Sequence, residues 1–505
     1  MDADGDDLHG WGPALEEIAR RKAAALRMGG PARLARQTER GRLDARARLA
    51  ALFDRGSFSE LGVLMGATED PPVNADGFVA GWGRIDGRPV LAGAEDVTVL
   101  GGSIGASSSD KRYRLCQLAG QERVPLVMLL EGAGHRVTET GRPGRRPGDL
   151  GAMVDLSGRV PLVCLVLGAS AGHGALFAPL SDYVVMTDTA SIFAAGPPLV
   201  RSATGEVISK EDLGGPDVAV ATGGVVHDVV PDDAAAIARA RGYLAHFPAN
   251  AGQPPPVRSG TDVGRRRVDV LGVIPPDPRR PYRITPVLEE IVDDGELFVV
   301  QAGFGASIVT ALAFLGGRSV AIVANDPSVR AGTIDRDAAD KAAHFLQVAG
   351  AFGLPCLFLA DNPGVLAGSG AERSGILRHA ARFYAVQHRL RVPKLHVTLR
   401  KAFGFGSSVM AMNPFDGQTV TLAFPSITLG ALPAASDASA IDDPDERARI
   451  AREQAAASLN GAASLAYDDV IDPRELRNAL LAGLELADSR GGQPARGWTS
   501  EGILP

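Results

Sequence analysis

The sequence predicts an α/β fold built twice over, and three observations carry that prediction. Landmark residues recur at a fixed interval: Gly87, Gly102, Lys111, Pro125 and Gly134 are answered by Gly317, Gly332, Lys341, Pro355 and Gly364, each pair 230 residues apart. A second block repeats at 232 residues, where VPLVCLVLGASAGHG from Val160 matches VPKLHVTLRKAFGFG from Val392, so that Gly172 and Gly174 fall on Gly404 and Gly406. Within each copy, short apolar runs ending in glycine clusters alternate with longer amphipathic segments. Gap-free agreement of this kind is the signature of a duplicated domain, and strand–helix alternation is that of an α/β fold.

The strand candidates are 125–130, 161–167, 355–360 and 394–399, continuous apolar runs of the kind that parallel strands buried on both faces require. The helix candidates are 108–122, with Leu115, Leu118 and Ala119 on one face, and 336–351, with Ala342, Phe345, Leu346 and Ala349. HDVVPDD from His227 is echoed by DDVIDPR from Asp468. Between the copies lies a Pro- and Arg-rich stretch, PPP at 254–256, RRR at 265–267 and PPDPRRP at 275–281. It reads as an exposed connector and sets the expected domains at 1–265 and 266–505.

Composition agrees. A chain of 505 residues suggests two or more domains. Only 5% of residues are aromatic while 61 are glycine, so small residues and tight turns carry much of the packing. The net charge of −7, without a long run of one sign, argues against a nucleic-acid footprint. Cys116, Cys164 and Cys356 are far apart in apolar stretches and read as buried thiols rather than metal ligands. The acidic start MDADGDDLHGWGPALEE has no apolar core of a signal peptide, and no apolar run reaches the roughly 20 residues of a spanning helix, so a cytoplasmic protein is expected.

No catalytic motif with a side-chain nucleophile, a metal pair or a phosphate loop is present. Instead, glycines cluster just past strands, in EGAGHR (131–136), GASAGHG (168–174), DNPGVLAGSG (361–370) and KAFGFGSS (401–408). Such turns are structural when met singly. Four of them, paired across two copies, point to backbone N–H groups converging as oxyanion holes. Before the first copy, Arg33, Arg36, Arg40, Arg42, Arg46 and Arg48 form a dense cationic stretch, either a solvated helix face or a cluster for a phosphate-bearing ligand.

These segments together resemble the acyl-CoA carboxylase beta-subunit family, closest in motifs to methylcrotonyl- and propionyl-CoA carboxylase beta subunits. EGAGHR resembles its DSGGAR element and GASAGHG its GPCAGG element. GPPLVRSATGEVISKEDLGG (196–215), IVANDPSVRAGTIDRDAADKAAHF (322–345), DNPGVLAG, RKAFGFG and DDVIDPRELR each resemble a further family signature. The resemblance implies two tandem crotonase-like ββα-spiral domains, an N-terminal one for acyl-CoA and a C-terminal one for carboxybiotin. It implies a carboxyltransferase that moves a carboxyl group from carboxybiotin to the enolate of an acyl-CoA, with biotin itself as the base and no metal in this subunit. It also implies a separate partner carrying the biotin carboxylase and carrier domains, and a homo-oligomer with a dimer core, three dimers making a hexamer.

Carried over residue by residue, the resemblance places the catalytic hole at Gly134, Gly172, His173, Phe405 and Gly406, and biotin at Gly364, Val365, Phe405 and Gly406. The acyl-CoA falls against Arg42, Arg46, Ala133, Gly134, Gly172 and Gly205. The departures are Ala133, His135 and His173 in the glycine loops and Leu432–Pro433 near the expected substrate wall. With biotin as base, His135 and His173 read as wall residues, and Arg136 and Glu206 as structural or CoA-loop residues. A biotin-dependent acyl-CoA decarboxylase subunit and a non-catalytic beta-type subunit are the alternatives. A single-domain hydratase is disfavoured by the duplication.

Overall fold

The computed structural model describes residues 10–67, 73–136, 148–260, 262–430, 443–490 and 502–503. The chain divides into two compact units, Met1–Ala219 with Val229–Arg241, and Val220–Asp228 with Gly242–Pro505.

The first unit is built on a seven-stranded sheet in the order Ser59–Leu61, Phe78–Ile85, Arg88–Glu95, Leu126–Leu130, Leu162–Val166, Tyr183–Thr187 and Asp228–Val230. Its first three strands pair antiparallel, and the next three join in parallel. The second unit repeats the order with Leu297–Val300, Ile308–Leu315, Arg318–Asn325, Cys356–Asn362, Lys394–Phe403, Val420–Ala423 and Asp469–Val470, again antiparallel first and parallel afterwards. The echoed segments HDVVPDD and DDVIDPR thus supply the last strand of each sheet. Every residue of Leu126–Leu130, Leu162–Val166 and Cys356–Asn362 is buried, as parallel strands covered on both faces must be.

The two helices read from the pattern are Ala106–Glu122 and Arg336–Ala351. The second starts where Asp335 accepts from the Ala338 amide, an N-cap that meets one of the helix's unpaired donors. Each helix holds one buried lysine of the repeat. Lys111 Nζ donates to the carbonyls of Ala75 and Phe78, at 3.0 and 2.7 Å, and Lys341 Nζ to that of Gln301 at 3.3 Å. Burial lowers both ammonium groups, Lys111 to about 8 and Lys341 to about 7. All three cysteines are buried and unpaired.

The Pro- and Arg-rich stretch is not a loose connector. Residues from Gly242 onward belong to the second unit, ahead of the boundary expected near residue 265. Val257 bridges Arg318, the Arg258 amide donates to Gly317 O at 2.7 Å, and the Arg258 guanidinium lies 3.9 Å from the centre of the Phe314 ring. Val268 and Val270 are buried among the core side chains of the second unit. Prolines keep this segment extended while its sparse apolar residues still reach a sheet edge, an outcome that composition alone does not foretell. Among the described residues, no helix is long and apolar enough to cross a membrane.

Candidate active site

In the first unit, strand Leu126–Leu130 runs into the loop Glu131–Arg136. Gly134 sits there at φ +80°, with its carbonyl accepting from the Ile104 amide at 2.7 Å. A Cβ at this position would stand 2.9 Å from Ala171 O, so both conformation and space demand glycine. The Gly134 amide has no acceptor among the described residues. Close by, Gly172 (φ +59°) opens the short helix Gly172–Ala175. As the first residues of a helix, Gly172 and His173 present N–H groups that no intrahelical carbonyl can take. Three open amides on two adjoining turns are what an oxyanion hole needs.

The loop is held from beneath by buried charge. The Glu131 amide donates to Glu95 Oε2 at 2.7 Å, and Glu95 pairs with Arg112 at 2.8 Å. Burial raises the Glu95 carboxyl above its ordinary range, against the pull of Arg112. The Glu131 carboxylate is clamped by Arg48 at 2.6 Å, by Arg42 at 3.0 Å and by Gln37 Nε2 at 3.1 Å. Arg136 is structural, donating to Asp76 Oδ1 at 2.7 Å and to Ser103 O at 3.1 Å.

The second unit repeats the backbone with the registers kept. Ile334 donates to Gly364 O at 3.1 Å as Ile104 does to Gly134 O, and Ile334 bridges Val365 as Ile104 bridges His135. Gly364 and Gly404 have positive φ, +120° and +53°, like Gly134 and Gly172. Phe405 and Gly406 open the helix Phe405–Val409, so their amides are likewise open at its start. A Cβ on Gly406 would lie 2.2 Å from Asn362 Oδ1 and 2.7 Å from Gly364 Cα. The Gly364 amide itself is occupied, because it donates to Asn362 Oδ1 at 3.0 Å. The open donors beside it are the amides of Val365, Phe405 and Gly406, and the Gly364 N–H drops out of the expected biotin hole. Behind them, Arg400 Nε donates to Asp361 Oδ2 at 2.7 Å and Tyr282 Oη to the same oxygen at 3.0 Å.

Residues 36–497 match the family model of the carboxyl transferase domain. The chain belongs to that family. It is 35% identical to the methylmalonyl-CoA carboxyltransferase 12S subunit of Propionibacterium freudenreichii subsp. shermanii, over 95% of this chain and 96% of the relative. It is 34% identical to the propionyl-CoA carboxylase carboxyltransferase subunit of Haloferax mediterranei, over 94% and 96%. A transcarboxylase 12S crystal structure, titled as a hexamer assembly with hydrolysed methylmalonyl-coenzyme A bound, superimposes with a TM-score of 0.89 at 33% identity, covering 94% of this chain and 95% of that one. This carboxyltransferase therefore has the crotonase-like fold, and its chemistry is carboxyl transfer between biotin and an acyl-CoA.

The remaining site residues divide. Arg46 is paired in bidentate fashion with Glu60, and Arg42 is spent on Glu131 and on Thr189, at 3.1 Å to its carbonyl. Both charges are committed within the chain. The cations left facing outward are Arg33, Arg36 and Arg40, which line a cavity of about 300 Å³ with Thr98 and Gly101. That cavity adjoins the glycine loop, since the Ala133 amide donates to Gly101 O at 3.1 Å. Gly205 caps the helix Pro197–Thr204 in a left-handed conformation (φ +79°), exposed like its neighbour Glu206. Leu432 and Pro433 lie outside the described residues. No group of three or more His, Cys, Asp or Glu suited to a metal ion occurs among the described residues.

Sequence reading missed Asp149. Its Oδ1 accepts from His173 Nε2 at 2.7 Å, and the His135 ring lies against that of His173, tilted by 50° with centroids 4.4 Å apart. Burial is the largest single influence and works to raise the Asp149 carboxyl, but the hydrogen bond and charge of His173, the charge of Arg112 and the Leu150 amide together hold the group below the ordinary carboxylate range. His135 is lowered by burial and by His173. A histidine at a position where the family resemblance implies glycine was the available signal. Its carboxylate partner, 24 residues earlier, had none.

Proposed function

We propose that this chain is the carboxyltransferase subunit of a biotin-dependent acyl-CoA carboxylase, with the first unit holding the acyl-CoA and the second the biotin. The supporting observation is the repeated pair of open-amide turns, at Gly134–Gly172–His173 and at Val365–Phe405–Gly406, in a chain of the carboxyl transferase family. Bound biotin would supply the activated carboxyl group. The Phe405 and Gly406 amides are suited to its ureido oxygen, and the absence of a Cβ at Gly406 keeps Asn362 and Gly364 close beneath them.

In the first unit, the open amides stabilise negative charge on the thioester oxygen as the α-carbon loses its proton. Each such donor is worth about 3 kcal/mol in a water-excluded site. Arg33, Arg36 and Arg40 take the phosphates of coenzyme A, in place of Arg42 and Arg46. The partner is a biotin carboxylase and biotin carrier subunit, and the active species is a homo-oligomer, as in the relative whose structure is titled a hexamer. The names of the two relatives make propionyl-CoA the first substrate to try.

The test is reconstitution. The chain, its biotinylated partner, ATP, bicarbonate and a panel of acyl-CoAs are expected to yield the α-carboxylated thioester only when both proteins are present. A chain that sediments as an active monomer, or that forms no carboxylated product with any acyl-CoA, overturns the reading.

A further inference from the structure

The family resemblance gives biotin the task of removing the substrate proton and leaves the side chains of the acyl-side turn as bystanders. The first unit holds a side-chain arrangement that fits the task itself. His173 stands on the first turn of the helix whose amides face the thioester oxygen, and its Nε2–H donates to Asp149 at 2.7 Å. Asp149 is only 1% exposed, accepts also from the Leu150 amide at 3.0 Å, and leaves its Oδ2 buried without a partner among the described residues. A carboxylate bonded to one ring nitrogen fixes the tautomer and leaves the lone pair on the other, which is how a general base is prepared.

The groups facing His173 are Asp149 from its helix and His135 from the glycine loop, with the Glu95–Arg112 ion pair behind Gly174. In the second unit the 232-residue repeat puts Phe405 at this place, its ring 5.4 Å from that of Tyr384, so the acid–base pair is confined to the acyl side.

We propose that His173, oriented by Asp149, is the base that removes the α-proton of the acyl thioester in this chain. The inference rests on reading the first unit as the acyl-CoA site. The C–H bond breaks, its electron pair passes into the enolate held by the Gly134 and Gly172 amides, and the proton goes to His173 Nδ1. The imidazolium so formed is stabilised by Asp149. The enolate carbon would then bond to the carboxyl carbon as the bond between that carbon and the biotin ureido nitrogen breaks, its electron pair staying on the nitrogen, and the proton on His173 would pass to that nitrogen.

The consequence is enolisation that does not need biotin. In D₂O, with propionyl-CoA and no biotin donor, the wild-type chain is expected to exchange the α-proton. His173→Gln keeps a hydrogen bond to Asp149 but cannot take a proton, so exchange should fall by about 10²-fold or more with the affinity for propionyl-CoA retained. Asp149→Asn, acting through His173, should lower the exchange rate by about tenfold while KM stays put. Wild-type exchange in His173→Gln overturns the proposal. So does wild-type protein that transfers carboxyl groups normally with its biotinylated partner yet exchanges nothing without it. Failure of both exchange and transfer overturns the carboxyltransferase reading together with this one.

Discussion

The two units share a backbone and differ in the polar scaffold beneath it. Where the first unit has Glu95, backed by Arg112, receiving the Glu131 amide, the second has Asn325 receiving the Asp361 amide at 3.2 Å. Where the first leaves the Gly134 amide open, the second fills the Gly364 amide with Asn362. The carboxylate at the C-terminal end of the strand is kept in both, as Glu131 and Asp361. Its clamp has moved, from Arg42 and Arg48 ahead of the first sheet to Arg400 inside the second. A turn that points amides at a ligand is thus fixed by glycine geometry, while the buried polar groups under it can be exchanged.

The comparison can be broken most severely at the clamps. Arg48→Met leaves Glu131 to Arg42 and Gln37 and takes the guanidinium from Asp233, and Arg400→Met leaves Asp361 to Tyr282 and the more distant Lys401, all three carboxylates being buried. Removing one partner of a buried pair costs about 3–5 kcal/mol. Each change should lower the denaturation midpoint, and proteolysis should open the mutated unit first. Opening of the other unit first would deny that the clamps are local.

The holes come next. Gly172→Val and Gly406→Val force a β-branched residue into a positive-φ turn or against Asn362, respectively. Loss of a hole donor costs about 10²–10³-fold. Gly172→Val should cost this in α-proton exchange alone, and Gly406→Val in decarboxylation with free biotin alone. Equal damage to both half-reactions by either variant would contradict the division of labour.

The cationic cavity sharpens the comparison, because among the described residues the second unit shows no counterpart of the helix Pro31–Glu39 that bears it. Arg36→Ala should raise the KM for acyl-CoA by about 10–100-fold, the range of a lost charged hydrogen bond of about 1.5–3 kcal/mol, and leave the KM for the biotin donor unchanged. Arg46→Ala, whose charge is spent on Glu60, should affect stability more than KM.

A further comparison concerns the repeated lysines. Lys341 titrates at about 7 in the folded chain against 10.5 unfolded, and Lys111 at about 8. Between those values the unfolded chain binds the extra proton, so stability rises with pH. The gain is complete above 10.5 and is lost as pH falls towards 7 or 8. Lys341→Met should flatten the stability profile between pH 7 and 10.5 by about 1 kcal/mol per pH unit, and Lys111→Met should do so over the narrower window above 8. Denaturant titrations at several pH values measure the difference directly.

The duplication and the glycine turns were legible because they are written in spacing, and spacing survives folding. Gly134 and Gly364, or Gly172 and Gly404, advertise a strained turn without needing a partner. The rest depends on distant pairing. Nothing in the run Arg33 to Arg48 separates the buried Arg48 from the exposed Arg36, because the chain breaks between helices Pro31–Glu39 and Ala45–Leu52 and the helical phase is lost. Asp149 meets His173, and Asn362 meets Gly364, through contacts that no periodicity encodes. Val268 and Val270 were too few to outweigh the prolines around them, yet each is buried.

The position of the clamps bears on how the molecule can be taken apart. Asp361 is held from 39 residues away, within the repeat itself, whereas Glu131 is held from 83 and 89 residues away by Arg48 and Arg42, ahead of the first sheet. A fragment starting at Gly242 keeps Arg400 and Tyr282 against Asp361, although it leaves behind Val220–Asp228 of the same unit. One cut at the start of the first sheet leaves a bare carboxylate under its own turn. The second copy thus carries its own clamp, and the first borrows one from the segment ahead of its sheet.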